Sequence, residues 1–362
     1  MKLFKSFKVP VEPSVELRFN EAVLSLHQKL KVLDVEQLNV SAYSKKYFKD
    51  YQRKLQYSLE ACAFILMHAL ADAKKQLSEI TIVDYGAGTG VLAMLAKEVG
   101  FGRVIYNDIY DVSCRDASLI AHAAAAKADD YICGDVSSLC TYFKQGNYTC
   151  DTIVSRNVIE HIYDLEAHFK ELSAIPSDKL NLFFATTANI NNPLTVWYTQ
   201  RIQRMLEYKG MANKWGKERD TTKPFLISRQ EIILDVMPSI EQAALHQIAK
   251  ATRGLMKSEI EEATKSYMKN KQINVKPASG CNTCDPYTGN WAEHLLPIET
   301  YERMFIHNGF SFSVVSGFYN TNYAKKWLNL FTPLVNMMIK ILGHKGTYLS
   351  PFIGLKGVAK KG

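Results

Sequence analysis

The chain has 362 residues, of which 47% are hydrophobic, enough for one large domain or a domain with a cap. Its net charge of +8 is too diffuse to establish a nucleic-acid partner and equally allows anionic partners or membranes. Seven cysteines, an odd number, favour a reducing compartment over a disulfide scaffold. Residues 1–5 lack the apolar core of a signal peptide, and no run reaches the roughly 18 apolar residues of a membrane span. These features predict a cytoplasmic protein.

The N-terminal segment, residues 1–75, is predicted to be helical in its second half. Residues 1–40 mix charge with short apolar runs and indicate no chemistry. From residue 42 onward, four large side chains recur at four-residue intervals on one helical face: Tyr43, Tyr47, Tyr51 and Leu55. Such a stripe is more typical of core packing than of a ligand site.

A buried strand that ends in an acid and three glycines comes next. Residues 80–83 are largely β-branched and apolar, as in a strand covered on both faces. The strand ends at Asp84, glycines follow at 86, 88 and 90, and a helical pattern begins directly after them. Strand, glycine turn and helix are typical of a nucleotide site at the carboxyl ends of parallel strands. Dinucleotide sites instead use G-x-G-x-x-G, and an acid before the turn would repel phosphate but suit an ammonium group.

At this turn the sequence resembles the class I S-adenosylmethionine-dependent methyltransferases, whose first motif reads D/E-x-G-x-G-x-G. The resemblance implies that S-adenosylmethionine is the cofactor. The turn residues that would bind it are Asp84, Tyr85, Gly86, Ala87, Gly88 and Gly90. It also implies that the preceding helices close over the cofactor, so that Tyr43 or Tyr47 would contact its methionine end. For this stretch alone, an ordinary tight turn remains the alternative.

Two further strands end in acids. Residues 103–108 form the second strand, and one carboxylate, here Asp108, can accept hydrogen bonds from both ribose hydroxyls. The resemblance places Asp108 and Ile109 at the ribose, whereas the alternative is a helix N-cap before the helix predicted at 117–128. After a third strand at 131–133, it places Asp135 and Val136 beside the adenine.

The fourth strand, residues 151–155, continues into Arg156-Asn157-Val158-Ile159-Glu160-His161. This run resembles the N/E-V-x-E-H fourth motif of quinone-type and many small-molecule methyltransferases. The resemblance assigns Arg156 and Asn157 to the cofactor site. Nucleic-acid amino methylation commonly uses N/D-P-P-Y/F at this position, and the absence of proline here argues against it.

The four motifs in order, with strands at 180–186, 311–317 and 352–358, predict the fold class. It is α/β: a seven-stranded Rossmann-like methyltransferase sheet with helices on both faces, plus a helical lid insert. The predicted segments are an N-terminal helical segment (1–75), a cofactor-binding core (76–190), a lid or substrate insert (191–290) and a C-terminal completion of the sheet (291–362). Within the insert, 194–210 and 240–271 are predicted helices.

Two histidines are candidates for the base that a hydroxyl acceptor would need. His161 follows the fourth strand, and His294 lies in a Trp/Glu/His cluster where the resembling family builds its substrate wall. We favour His294, with Glu293 or Glu160 orienting a histidine; the alternative for His161 is a structural role in its loop. A single Cys-x-x-Cys pair without finger spacing predicts no metal.

An amphipathic segment, residues 325–345, precedes the last strand. Its polar residues fall on one stripe, and Pro333 is predicted to begin a helix capped by Thr332. The broad apolar face flanked by lysines would meet a membrane or a lipid-bearing substrate, or pack on the lid or a second subunit. This tail loosely resembles methyltransferases of bacterial surface-polysaccharide pathways.

The sequence thus predicts methylation of a sugar, a lipid-linked glycan or another small hydroxyl compound. The alternatives are a protein or nucleic-acid methyltransferase, or a quinone-like lipid as acceptor. No nucleic-acid partner is expected, peripheral membrane contact is allowed, and the oligomeric state is left open.

Overall fold

The fold is an α/β arrangement around one mixed sheet. The computed structural model describes residues 6–71, 75–210 and 222–360. The strands are β1 (Thr81–Tyr85), β2 (Arg103–Asp108), β3 (Asp130–Cys133), β4 (Thr152–Arg156), β5 (Lys179–Thr186), β6 (Ser313–Ser316) and β7 (Ile353–Lys360). The α-helices are α1 (Pro13–Val32), α2 (Ala42–Arg53), α3 (Leu55–Leu70), α4 (Val91–Val99), α5 (Asp111–Ala123), α6 (Val136–Gln145), α7 (Leu165–Ser173), α8 (Pro193–Tyr208), α9 (Phe225–Val236), α10 (Gln242–Ala251), α11 (Lys257–Asn270), α12 (Ile298–His307) and α13 (Leu328–Leu342).

The sheet confirms the predicted fold class. Its strand order is β3-β2-β1-β4-β5-β7-β6, with β1 to β5 parallel and β7 antiparallel to both of its neighbours. The order reverses between β1 and β4, and ligands of open α/β sheets bind at the carboxyl ends of the strands at such a point. The glycine turn that follows β1 therefore lies where a ligand site is expected.

Helices cover both faces of the sheet because side chains along each strand alternate between the two faces. On one face Phe183 of β5 packs against Phe64 of α3, with ring centroids 5.8 Å apart. On the other face Phe184 packs against Phe169 of α7 and Phe305 of α12, at 6.2 and 6.3 Å. All five phenylalanines named are almost fully buried.

The N-terminal helices share the core of the sheet. Four apolar residues of α1 are buried at helical spacing, with at most 1% exposure: Phe19, Val23, Leu26 and Leu30. They belong to one apolar cluster with α3, α4 and the sheet. Residues 13–32, for which the sequence analysis found no role, thus form a core helix, and Pro13 at its first position suits a helix start.

Two predicted helices differ from the observed ones. The helix expected at 117–128 is α5, Asp111–Ala123, and the chain leaves it through Ala125, which has φ +50°. The helix expected to begin at Pro333 begins at Leu328, and Pro333 lies inside it. Pro333 is the sixth residue of the helix, so the hydrogen bond that an N–H at this position would donate to the Asn329 carbonyl is absent.

By their internal contacts the residues form two compact units. The core unit comprises residues 1–159, 165–192 and 297–362, and the insert unit comprises 160–164 and 193–296. The insert unit contains α8 to α11 around its own apolar cluster, built on Ile232, Ile233, Leu245, Ile248 and Ile260. Of the predicted insert helices, 194–210 is observed as α8, 240–271 is divided into α10 and α11, and α9 was not predicted.

A buried ion pair lies inside the insert unit. The Arg229 guanidinium pairs with the Glu207 carboxylate, which also accepts a hydrogen bond from Thr283 Oγ1 at 2.8 Å. Arg229 Nε donates to the Ala249 carbonyl at 2.8 Å, so the buried charges are paired and hydrogen-bonded as burial requires.

Candidate functional site

The glycine turn after β1 has a backbone that requires glycine. Gly86, Gly88 and Gly90 have φ of +66°, +55° and +74°, a region that residues with a side chain rarely adopt. A Cβ on Gly86 would lie 2.5 Å from Cγ2 of Val158, so the backbone has no room for a side chain there. The turn therefore brings bare backbone to the carboxyl end of β1.

A cavity of about 170 Å³ opens beside this turn. Five of the predicted site residues line it: Asp84, Gly86, Ala87, Arg156 and Asn157. Small-molecule sites usually measure roughly 300–1,000 Å³, so this cavity would hold only part of a ligand as large as a nucleoside derivative.

The cavity lining includes two acids, Asp50 and Asp84, and two cations, Lys54 and Arg156. Asp84 is buried, its Oδ2 accepts a hydrogen bond from the Ala93 amide at 2.9 Å, and desolvation together with Asp108 raises its pKa to about 7. Arg156 Nη1 donates to the Tyr51 hydroxyl at 3.0 Å. A negative and a positive group on one wall match the ammonium and carboxylate of an amino acid.

Asn157, like Gly86, lines the cavity with a positive φ. It follows β4 with φ +57°, and its amide donates to the Ala185 carbonyl at 2.8 Å, which holds the strained conformation in place. Non-glycine residues with positive φ are uncommon and concentrate at functional sites.

Asp108 lies at the end of β2, the neighbour of β1, as predicted. Its Oδ2 accepts from the Gly88 amide and its Oδ1 accepts from the Tyr110 amide, both at 2.8 Å. The carboxylate therefore ties the glycine turn to the next strand. Each carboxylate oxygen has a second lone pair, so both oxygens could still accept hydrogen bonds from a ligand.

The remaining predicted cofactor residues have different surroundings. Asp135 caps α6, accepting from the Ser137 hydroxyl at 2.6 Å and from the Ser137 and Ser138 amides at 3.0 and 3.3 Å. The hydroxyl bond is the main cause that lowers the pKa of Asp135, and the amide bonds add to it. The Tyr85 ring packs against His168 at 5.2 Å, and Ile109 is exposed. These two side chains, with Gly88, Gly90, Asp108, Asp135 and Val136, are outside the cavity lining.

The tyrosine stripe of α2 contributes directly to the cavity. Tyr47 and Tyr51 line it, and Cε1 of Tyr47 lies 3.2 Å from the position of a Cβ on Gly88. Tyr43 stacks on Tyr47 at 5.9 Å but does not line the cavity. The four-residue spacing of the stripe could have indicated further lining residues on α2 and α3. Eight lining residues were not predicted from sequence: Asp50, Tyr51, Lys54, Ser58, Cys62, Thr89, Val91 and Leu92.

The predicted acid and histidine residues form a cluster within the insert unit. The Trp291 amide donates to the His161 carbonyl at 3.3 Å, and the His294 amide donates to the Glu160 carbonyl at 3.0 Å. Gln203 Nε2 donates to the Glu293 carbonyl at 2.9 Å and so holds residues 291–294 in place. All four candidate catalytic residues are therefore brought together by backbone pairing of residues 160–161 with 291–294.

The hydrogen bond of His161 determines which ring nitrogen can act as a base. Nδ1 lies 2.8 Å from the Trp291 carbonyl, which can only accept, so in the neutral ring Nδ1 carries the proton. Nε2 then has the lone pair, and Glu293 Oε1 lies 3.8 Å from it. That distance is too long for a hydrogen bond but short enough to stabilise a positive charge on the ring.

His294 has an apolar environment. Its ring stacks on Trp291 with centroids 3.9 Å apart, and desolvation lowers its pKa to about 4. Nδ1 is buried without a hydrogen-bond partner among the described residues. A ring this hard to protonate is a weak base near neutral pH.

Glu160, His161 and Glu293 also have the geometry of a possible cation site. One ligand atom from each lies within 4.8 Å of the others. Acid clusters of this size are common without an ion, and the prediction that the protein uses no metal stays a prediction.

The strand order, the acid before three alternate glycines and the acid after β2 define the methyltransferase class that uses S-adenosylmethionine. The family described as "Methyltransferase domain" matches residues 51–234, and the chain belongs to this family. The protein is therefore an enzyme. No curated protein matches the chain.

Three solved structures show how distant the similar chains are. The plantazolicin methyltransferase BpumL in complex with SAH is 9% identical, with a TM-score of 0.39, covering 96% of this chain and 100% of that one. An S-adenosylmethionine-dependent methyltransferase from Mesorhizobium loti is 14% identical, with a TM-score of 0.36, covering 81% of this chain and 96% of that one. Phosphoethanolamine N-methyltransferase 2 from Haemonchus contortus, in complex with S-adenosyl-L-methionine, is 11% identical, with a TM-score of 0.38. The match covers 88% of this chain and 56% of that one.

The raised pKa of Asp84 predicts a pH-dependent cofactor affinity. An ammonium group binds the ionised carboxylate better, so affinity for S-adenosylhomocysteine, the demethylated cofactor, should rise with pH until Asp84 is ionised near pH 7. Below that pH the dissociation constant should increase by up to about tenfold per pH unit. Calorimetry between pH 5.5 and 7.5 measures this.

Asp84→Asn keeps an acceptor for the Ala93 amide but cannot ionise, so its affinity should be weak and nearly constant over the same range. The exposed Glu21→Gln provides a matched control that should retain the wild-type slope. A wild-type affinity that does not change with pH would remove Asp84 from the ammonium site.

Proposed function

We propose that the enzyme transfers a methyl group from S-adenosylmethionine to a hydroxyl group of a small or lipid-linked acceptor. The observation that carries the cofactor part is the cavity wall formed by Asp84 and Arg156 beneath the glycine turn. S-adenosylmethionine would supply a methyl group bonded to a sulfonium. The nucleophile attacks the methyl carbon in line with the C–S bond and displaces the sulfur.

Four of the predicted cofactor residues have a defined role in this proposal. Asp84 pairs with the ammonium group of the cofactor, and Arg156 pairs with its carboxylate. Asp108 accepts hydrogen bonds from the ribose hydroxyls through its remaining lone pairs. Asp135 has one carboxylate oxygen that does not cap α6, and this oxygen accepts from the adenine amino group.

The proton of the acceptor hydroxyl goes to His161 in this proposal. Nε2 of His161 has the lone pair, and Glu293 stabilises the imidazolium that forms. His294 was preferred from sequence, but its stacking on Trp291 and its lowered pKa favour a structural role. Glu160, buried next to His161 in the chain, helps to hold the segment.

The insert unit is proposed to select the acceptor. It contains the His161 cluster and several exposed aromatic side chains, including Trp197 and Tyr198 on α8. The fourth motif, of the kind found in small-molecule methyltransferases, and the lack of prolines after β4 support a small or lipid-linked hydroxyl compound over nucleic acid. Within the described residues no helix is both long and apolar enough to cross a membrane.

Methyl-labelled S-adenosylmethionine tests the acceptor class. Label should enter free sugars, quinols or lipid-linked sugars in a panel, and should not enter RNA or bulk protein. Each product is identified by mass spectrometry, and the bond that carries the label distinguishes O- from N-methylation. Label found in RNA or protein alone would contradict the proposal.

A further inference from the structure

Helix α13 buries two polar side chains and exposes most of its apolar ones. Thr332 and Asn336 are buried, whereas six large apolar residues are 50–75% exposed: Leu330, Phe331, Leu334, Met337, Met338 and Ile341. A helix on the surface of a water-soluble protein normally has the opposite arrangement. Single exposed apolar residues are common, but a contiguous face of six marks an interaction surface. We call these six residues the apolar face.

The orientation of α13 is fixed by hydrogen bonds from its polar side. Asn336 accepts from the Tyr319 amide at 2.7 Å and donates to the Tyr319 carbonyl at 2.9 Å. Asn329 makes the same two bonds to Tyr323, at 2.7 and 3.0 Å. Because each asparagine pairs with both backbone groups of its partner, rotating the apolar face inward would break four hydrogen bonds.

The segment after α13 is held just as firmly. Asn189 Nδ2 donates to the carbonyls of Thr347 and Ser350, both at 2.8 Å, and Asn192 Nδ2 donates to the Ser350 carbonyl at 2.9 Å. All of these residues belong to the core unit. The apolar face is therefore presented by a braced helix.

The charge around the apolar face identifies the partner. The last sixty residues contain eight lysines and arginines and no aspartate or glutamate, while the rest of the chain has 36 of each sign. The excess of positive charge thus comes from the last sixty residues of the sequence, and four of these eight cations flank or lie on α13. Lys325, Lys326, Lys340 and Lys345 flank or lie on α13 and are exposed. A second copy of the chain would bring the same positive charge to the interface, so self-association is disfavoured by repulsion.

We propose that α13 lies in the surface of an anionic lipid bilayer, with the apolar face among the acyl chains and the lysines at the headgroups. The helix has 15 residues and is about 22 Å long, shorter than the roughly 30 Å hydrocarbon layer, so it lies in the interface. Trp327 directly precedes α13 and Tyr348 lies six residues after its end, and both are exposed. Tryptophan and tyrosine are the side chains enriched at membrane interfaces. The inference holds whichever acceptor the enzyme methylates.

Flotation of the full-length protein with vesicles of phosphatidylglycerol and phosphatidylcholine tests the proposal. Wild type should float at low salt, and less with phosphatidylcholine alone or at high salt. Leu334→Glu with Ile341→Glu should lower the partition coefficient at least about a hundredfold, since two aliphatic side chains no longer bury and two charges are repelled. Lys325→Gln with Lys326→Gln should lower it about thirtyfold, because each lysine contributes about 1 kcal/mol.

The matched control is Leu17→Glu with Val32→Glu, which adds the same charge at exposed apolar positions of α1 and should float like wild type. S-adenosylhomocysteine affinity and melting temperature should be equal in all variants, which separates this test from that of the proposed function. Wild type that stays unbound, or a Leu334→Glu, Ile341→Glu variant that floats like wild type, would overturn the proposal. So would a lipid-free wild-type dimer that this variant dissociates.

Discussion

Replacing His161 with glutamine should lower kcat by about 10²- to 10⁴-fold, the usual contribution of a positioned general base. Glutamine has a similar reach and can keep a hydrogen bond to the Trp291 carbonyl, but it cannot accept the proton of the acceptor. Cofactor affinity should not change, because His161 does not line the cavity. Single-turnover methyl transfer, with calorimetry of S-adenosylhomocysteine binding, measures the two effects separately.

His294→Gln is the matched control for this prediction. It removes a ring that stacks on Trp291, so it should lower thermal stability and leave most of kcat. If His294→Gln loses activity and His161→Gln keeps it, the base is His294, as the sequence analysis preferred. Glu293→Gln should retain the structure and lose part of kcat, because the imidazolium then lacks its counter-charge.

Treatment of the enzyme with a chelator tests whether the cluster binds a cation instead. Activity that a chelator abolishes and an added divalent ion restores would assign Glu160, His161 and Glu293 to a metal instead of a base. Unchanged activity in chelator supports the general base.

Replacing Asp108 with asparagine should weaken S-adenosylhomocysteine binding about a hundredfold. The amide nitrogen cannot accept from a ribose hydroxyl, and a hydrogen bond to a charged group contributes about 1.5–3 kcal/mol. In addition, either the Gly88 or the Tyr110 amide loses its acceptor, which loosens the glycine turn. Calorimetry at pH 7.5 measures the change directly.

Asp111→Asn is the matched control for Asp108→Asn. It makes the same chemical change three residues later, at an exposed position in the first turn of α5, and should bind like wild type. A melting curve without ligand shows whether Asp108→Asn keeps the fold. An Asp108→Asn protein that is folded and binds with wild-type affinity would contradict the ribose assignment.

The sheet could be predicted from sequence because each parallel strand is a short apolar run that ends in a recognisable polar residue. Asp84, Asp108 and Asp135 each follow such a run, and the turn glycines are dictated by positive φ. Backbone requirements of this kind leave a direct trace in the sequence. The predicted strand ends accordingly lie within two residues of the observed ones.

Helix ends and long-range side-chain contacts could not be predicted in the same way. The alanine-rich stretch around the end of α5 has no residue that marks where the helix stops. The cavity residues Cys62 and Arg156 are far apart in sequence, and only the folded chain brings them together. The inward polar side of α13 depends on backbone groups at residues 319 and 323, which no periodicity shows.

The position of β7 has a consequence for the order in which a ribosome-bound chain can fold. β7 lies between β5 and β6 and pairs with both, with Leu180 opposite Ala359 and Val314 opposite Leu355. Residues 193–296 are synthesised before either late strand, so β5 has an unpaired edge while the insert unit emerges. β6 cannot join the sheet until β7 has left the exit tunnel. The nascent protein therefore has an open parallel sheet while residues 187–352 are translated, and such an edge is the kind that chaperones cover and that aggregates when they are absent.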